Sequence, residues 1–167
     1  RLDVVEDVTQ EKQIQSKLLL ADKALASSSD GIVVIDTRGV VASVNPAFTR
    51  ITGYDSDEIV GAHASLLNSE RQSPAFYRQM WRSIVRDRQW QGELWSRRKD
   101  GEEFLERLNV SAVFDDAGKV SHYLGTFTDI TAQKQARERI DFLAFHDALT
   151  HLPNRVLGQD RLKQAVV

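Results

Sequence analysis

The stretch WQGELWSRRKDGEEFLERLNVSAVF, residues 90–114, decides the fold. Apolar and polar residues alternate, the alternation breaks at Lys99-Asp100-Gly101, and then it resumes. That is the pattern of two antiparallel strands joined by a tight turn, here Trp90 to Arg98 and Phe104 to Phe114. A further turn at Asp115-Asp116-Ala117-Gly118 leads into Val120 to Ile130, so three strands form a meander.

Working backwards, two proline-led starts announce helices. In Asn45-Pro46 and Ser73-Pro74 a side chain able to cap a first turn precedes a proline, whose missing N–H costs nothing there. The first helix carries Phe48 and Ile51 and ends near Gly53. The second places Phe76, Met80 and Ile84 on one face, flanked by Tyr77, Trp81 and Val85. Before them, Gly31 to Asp36 and Val40 to Val44 are β-branched runs on either side of Thr37-Arg38-Gly39, a hairpin. Two strands, several helices and three strands make an α+β domain: a five-stranded antiparallel sheet with helices over one face.

A short echo brackets this unit. Asp7-Val8-Thr9 and Asp129-Ile130-Thr131 stand 122 residues apart, each followed by a polar stretch of helix formers. A repeat at domain-length spacing reads as one junction used twice, with Thr9 and Thr131 as N-caps of linker helices. Ile14, Leu18, Ala21 and Leu25 in the first helix, and Ala136, Ile140 and Leu143 in the second, form narrow apolar seams suited to a homodimer.

Composition removes several function classes. A formal charge of -2 offers no basic field for nucleic acid. With no cysteine there is no disulfide, zinc-thiolate site, thiol catalysis or cysteinyl adduct. Apolar runs such as Gly31 to Ile35 fall far short of the roughly 20 residues that span a bilayer, so no membrane contact is expected here. The four histidines, at 63, 122, 146 and 151, have no metal-ligand or nucleophile-base spacing, and no phosphate-binding glycine loop exists, so no metal site and no enzyme are expected. A chain opening on Arg1 reads as part of a longer, cytoplasmic protein that could be membrane-anchored elsewhere.

Over roughly residues 22 to 131 the order resembles the PAS fold. The motifs that carry it are Asn45-Pro46-Ala47-Phe48, Ile51-Thr52-Gly53-Tyr54, Glu58-Ile59-Val60-Gly61, Trp90-Gln91-Gly92-Glu93, Arg98-Lys99-Asp100-Gly101 and Asp129-Ile130-Thr131. The span from Phe76 to Trp81 and on to Gly92 is similar to PAS units of nitrogen-fixation redox sensors and of many GGDEF/EAL proteins. His146-Asp147-Ala148-Leu149-Thr150-His151-Leu152-Pro153-Asn154-Arg155 resembles the opening of GGDEF domains, with His151 replacing the usual glycine. The implied organisation is the tail of a preceding PAS-like unit (1–9), a linker helix (10–26), a PAS domain (27–131), a second linker helix (132–146) and the start of a truncated GGDEF domain (147–167). The cyclase loop would lie further on, so this chain is not expected to make cyclic di-GMP itself.

The PAS resemblance implies a ligand between helices and sheet. Strand alternation puts Gly92, Leu94 and Ser96, then Phe104, Glu106, Leu108 and Val110, then Tyr123, Gly125 and Phe127 on the inner face. Trp95 points outward. The candidate pocket is Phe48, Trp81, Leu94, Ser96, Glu106 and Phe127, with Asp129 and Thr131 as the relay to the second helix. Ala64 stands where light-oxygen-voltage sensors carry their adduct-forming cysteine, Ser96 and Glu106 where asparagines are usual, and Phe127 where a glutamine is usual. Haem-binding relatives use a histidine on the long helix, and residues 73–88 contain none. FAD, another small molecule and an empty structural pocket remain as alternatives. The function implied is regulatory: a signal in the PAS domain relayed through paired helices to a GGDEF output, or a ligand-free scaffold that only dimerises.

Overall fold

The computed structural model describes residues 2–146 together with 150 and 152, with side chains described from residue 8 onward. Contacts divide the chain into two units, residues 1–129 and 130–167. The first contains helix α1 (Leu2–Ser27), strands β1 (Gly31–Asp36) and β2 (Val41–Val44), helices α2 (Pro46–Thr52), α3 (Ser56–Ile59) and α4 (Pro74–Asp87), and strands β3 (Gln89–Arg97), β4 (Glu103–Phe114) and β5 (Val120–Asp129). A 3-10 turn at Ala64–Leu67 precedes α4. The second unit contains α5 (Thr131–Phe145).

The strands form one antiparallel sheet in the order β2-β1-β5-β4-β3. This is the α+β architecture that the strand and helix signals predict. The register of the long hairpin sets Leu94 opposite Glu106 and Ser96 opposite Phe104. On the other side of β4, Leu108 faces Phe127 and Glu106 faces Asp129. The inner face is therefore the one predicted by alternation.

Both proline-led helices start as their sequences dictate. Asn45 Oδ1 accepts the Phe48 N–H at 2.9 Å, and Ser73 Oγ accepts the Phe76 N–H at 3.3 Å. Asn45 does more than cap. Its Oδ1 also accepts the Ile32 N–H at 2.8 Å, while Nδ2 donates to the carbonyls of Leu25 and Asp30. Gly53 ends α2 at a φ of 77°, a conformation that costs other residues strain. At Gly31 the reason for glycine is space, since a Cβ there would sit 2.3 Å from the Phe127 ring.

Two helical pieces between α2 and α4 have no counterpart in the sequence expectations. Helix α3 begins in a reciprocal capping box, Asp55 with Glu58, whose Oε2 accepts the Asp55 N–H at 3.1 Å. The 3-10 turn is capped by His63, whose Nδ1 accepts the Ser65 N–H at 3.2 Å. Val85, placed among the flanking apolar residues of α4, faces solvent.

The junction threonines are corrected. Helix α1 runs unbroken through Thr9, so Thr9 is not an N-cap, and the helix extends well before residue 10. Residues 2–27 contain neither glycine nor proline, and one threonine within a helix costs only about 0.5 kcal/mol relative to alanine. Helix α5 begins at Thr131 itself, with Ile130 in the cap position, because Ile130 already makes the turn at φ -108° and ψ 12°. Within α5, Arg137 pairs with Asp141 at 3.5 Å and the Phe142 and His146 rings stack at 4.4 Å. The GGDEF-like segment lies almost wholly outside the described residues.

Candidate functional site

The inner face divides into a filled half and a hollow half. Under α2, Phe48 is fully buried and meets Phe127 edge-on with ring centroids 5.8 Å apart; Phe104 lies 6.4 Å beyond Phe127. Under α4 and the 3-10 turn, the same face encloses a cavity of about 100 Å³. Its walls are mainly apolar, with Met80, Trp81 and Ile84 from α4 over Leu94, Leu108 and Val110 of the sheet.

Five of the six residues proposed from sequence, Trp81, Leu94, Ser96, Glu106 and Phe127, line this cavity together. Phe48 does not, and belongs to the filled half. Alternation along strands reveals which face a residue takes, whereas the distance of a helical phenylalanine from that cavity depends on how α2 packs. Asn68 and Tyr77, which sequence reasoning missed, complete the wall. The signal for Tyr77 was its place one residue after Phe76 on α4; nothing marked Asn68.

Glu106 is the chemically distinctive group. Only 6% exposed, its Oε1 accepts the Ser96 hydroxyl at 2.8 Å. Burial pushes its carboxyl up to about 7, against the Ser96 hydrogen bond and with help from the negative Asp129 on the neighbouring strand. Asp129 is neutralised differently, by Arg98 Nη2 at 2.6 Å. The same arginine donates to the Ile51 carbonyl at the end of α2 and lies 4.4 Å over the Phe104 ring. It also approaches Glu102 at 3.4 Å. Arg98 thus joins α2, the core and the last residue of β5.

Residues 68–72 shield the open edge of β3. Asn68 bridges Ser96, and the Gln72 amide, oriented to satisfy both neighbours, accepts from Trp95 N–H at 2.6 Å and donates to Trp95 C=O at 3.1 Å. Glu103 accepts from Ser69 and Arg71, which hold its carboxyl below the usual range, and Arg71 in turn lies 3.9 Å over the outward-facing Trp95 ring. Trp95 is covered by that guanidinium. Tyr77 Oη accepts from Ser69 N–H at 3.0 Å, and burial pushes its phenol up.

Flavin can be tested against this geometry. Pockets for drug-sized ligands span about 300–1,000 Å³. The cavity, near 100 Å³ with the Phe127 ring in its wall, lies below that range, and Ala64 lines it where an adduct-forming thiol would stand. Helix α4 offers no histidine to a haem iron. Among the described residues no group of three His, Asp or Glu side chains is arranged to hold a metal, and no helix is long and apolar enough to cross a membrane.

The architecture is thus a five-stranded antiparallel sheet whose inner face closes over a small cavity beneath α4. The chain belongs to the PAS family: the family model described as a PAS domain matches residues 29–132. It is a sensory, non-catalytic signal-transduction module. Similar curated proteins include the bacterioopsin transcriptional activator of Halobacterium salinarum, 29% identical over 87% of this chain and 22% of that protein. The nitrogen fixation regulatory protein of Klebsiella oxytoca is 28% identical over 84% of this chain and 29% of its own length. The chain therefore spans under a third of either relative. Among solved structures, the PAS domain of a Colwellia psychrerythraea protein superimposes with a TM-score of 0.64 at 22% identity, covering 69% of this chain and 98% of that one, and shares the fold. An RNA-binding light-oxygen-voltage receptor matches with a TM-score of 0.64 at 29% identity, over 75% of this chain and 36% of that one.

Proposed function

We propose that this PAS module takes a signal on the inner face of its sheet and relays it through the flanking helices, paired in a homodimer, to a GGDEF output that controls cyclic di-GMP synthesis. One observation carries the reading. The carboxyl in the cavity, Glu106, is the direct ladder partner of Asp129, the last residue of β5, and α5 begins two residues later. A change at Glu106 is felt electrostatically at the strand end, where Arg98 also ties in α2.

Pairing of helices is supported by what α1 and α5 leave in solvent. Ile14, Leu18 and Leu25 on α1, and Ile140 and Leu143 on α5, are all exposed, at the spacing of a coiled-coil seam. Support for the output comes from the His146 to Arg155 motif. The parent's activity, as cyclase or phosphodiesterase, rests on that motif.

A second reading, a scaffold that only dimerises, is favoured by the small volume of the cavity. Turnover of GTP by the longer protein separates the two. Arg98→Lys keeps the charge but loses the two-armed grip on Ile51 and Asp129. Under the relay reading it changes cyclic di-GMP output while sedimentation still shows a dimer. Unchanged output in a dimeric Arg98→Lys protein leaves only the scaffold.

A further inference from the structure

The hollow half of the inner face has a chemistry narrow enough to name what it holds. Ser96 occupies Glu106 Oε1, and Oε2 has no hydrogen-bond partner among the described residues. An acid proton on Oε2 therefore has no protein acceptor, although Glu106 lines the cavity. The Asn68 amide lines it too, and likewise makes no side-chain hydrogen bond among the described residues. Apart from Ser65 and Tyr77, whose oxygens are engaged by His63 and Ser69, the remaining walls are apolar. An apolar cavity of about 150 Å³ holds the six carbons of benzene, so about 100 Å³ suits roughly four to five non-hydrogen atoms.

Charge is selected against from both sides. An anion would meet Glu106 and Asp129. A cation would have to form an ion pair inside an apolar space, where the desolvation of both charges offsets their attraction. The charged or titratable groups around Glu106 are Asp129 on β5, already held by Arg98 just after β3, and the Tyr77 phenol on α4, whose oxygen is engaged by Ser69. The 3-10 turn and its cap contribute uncharged Asn68.

We propose that the cavity binds an uncharged molecule of about four to five non-hydrogen atoms, an alkyl body with a hydroxyl or carbonyl oxygen that accepts a hydrogen bond from Glu106 Oε2. This names the ligand class of the sensing role above and rests on it. Binding draws on the protonated carboxyl, so affinity follows the fraction of Glu106 that carries its proton.

The test uses the whole chain, labelled with nitrogen-15 and titrated with 1-butanol, 1-butylammonium and butyrate. With 1-butanol, saturable shifts are expected in the amides of Leu94 to Ser96, Glu106 to Val110 and Gly125. The dissociation constant should rise about tenfold from pH 6 to pH 8, following a group titrating near 7. Glu106→Gln keeps a donor of the same shape, so it should retain binding and lose the pH dependence. Butylammonium or butyrate binding as tightly as butanol overturns the proposal. So does pH-independent binding to the unsubstituted chain, or the absence of saturable shifts at those amides. Because no output domain enters this measurement, its failure removes the ligand class and leaves the Arg98 turnover result to judge the relay.

Discussion

The two halves of the inner face are made from the same sheet, yet one is packed solid and the other is not. Beneath α2, three aromatic rings fill the space, Phe48 edge-on to Phe127 and Phe104 tilted against it. Beneath α4, a mixed set of aliphatic and aromatic side chains and one carboxyl surround a void. The strands supply similar backbones to both; the difference lies in ring volume and in where a single polar pair was placed.

The largest effect that would break this contrast is expected from Phe48→Ala. Losing a fully buried ring from the filled half should cost about 3–5 kcal/mol, read as a lower urea midpoint. A cost below about 1 kcal/mol would mean that the two halves are equally loose.

Glu106→Gln sharpens the contrast from the other side. In the folded chain the carboxyl is raised from 4.5 to about 7, so between those pH values the unfolded chain has lost a proton that the folded chain still holds. Stability therefore falls as pH rises through that window and levels above it. Glutamine carries no such burden. At pH 8 the substitution should stabilise the fold by on the order of 2–3 kcal/mol, and urea unfolding should lose its slope between pH 5 and pH 7. Asp36 acts oppositely. The Val40 amide and the Arg38 guanidinium hold it down at about 2, so its contribution is complete above 3.8 and is lost as pH falls towards 2.

The smallest effect concerns volume alone. Val110→Ile adds one methylene beside the void, and should raise stability by up to about 1 kcal/mol while weakening 1-butanol binding. Destabilisation by a similar amount would show that the hollow half has no room to fill.

Much of the inner face is legible in the sequence, for a definite reason. The period-two alternation in residues 90–114 and the turn at Lys99-Asp100-Gly101 determine which side chains share a face, and they placed Leu94, Ser96 and Glu106 together. The partner of Glu106 escaped because a same-face diagonal contact needs the register of the hairpin, which the pattern alone leaves open. Phe48 was set in the cavity because helical periodicity does not say how far along a sheet a helix lies. The Asp55 to Glu58 capping box is a start signal in the sequence, but the helix after it is one turn long, too short to show a periodic apolar face. Thr9 misled because an echo of residue types was read as an echo of conformation, while a helix with no breaker runs straight through it.

Asn45 illustrates how little freedom a single position can have. Its amide accepts two N–H groups and donates to two carbonyls, spanning the end of α1, the start of β1 and the first turn of α2. Aspartate has the same outline and differs by one atom, but it would turn both donors into an acceptor facing two carbonyl oxygens. Leucine keeps the outline and deletes all four bonds. Among side chains of this length only the primary amide balances the count, so the vocabulary at this crossroads shrinks to one letter.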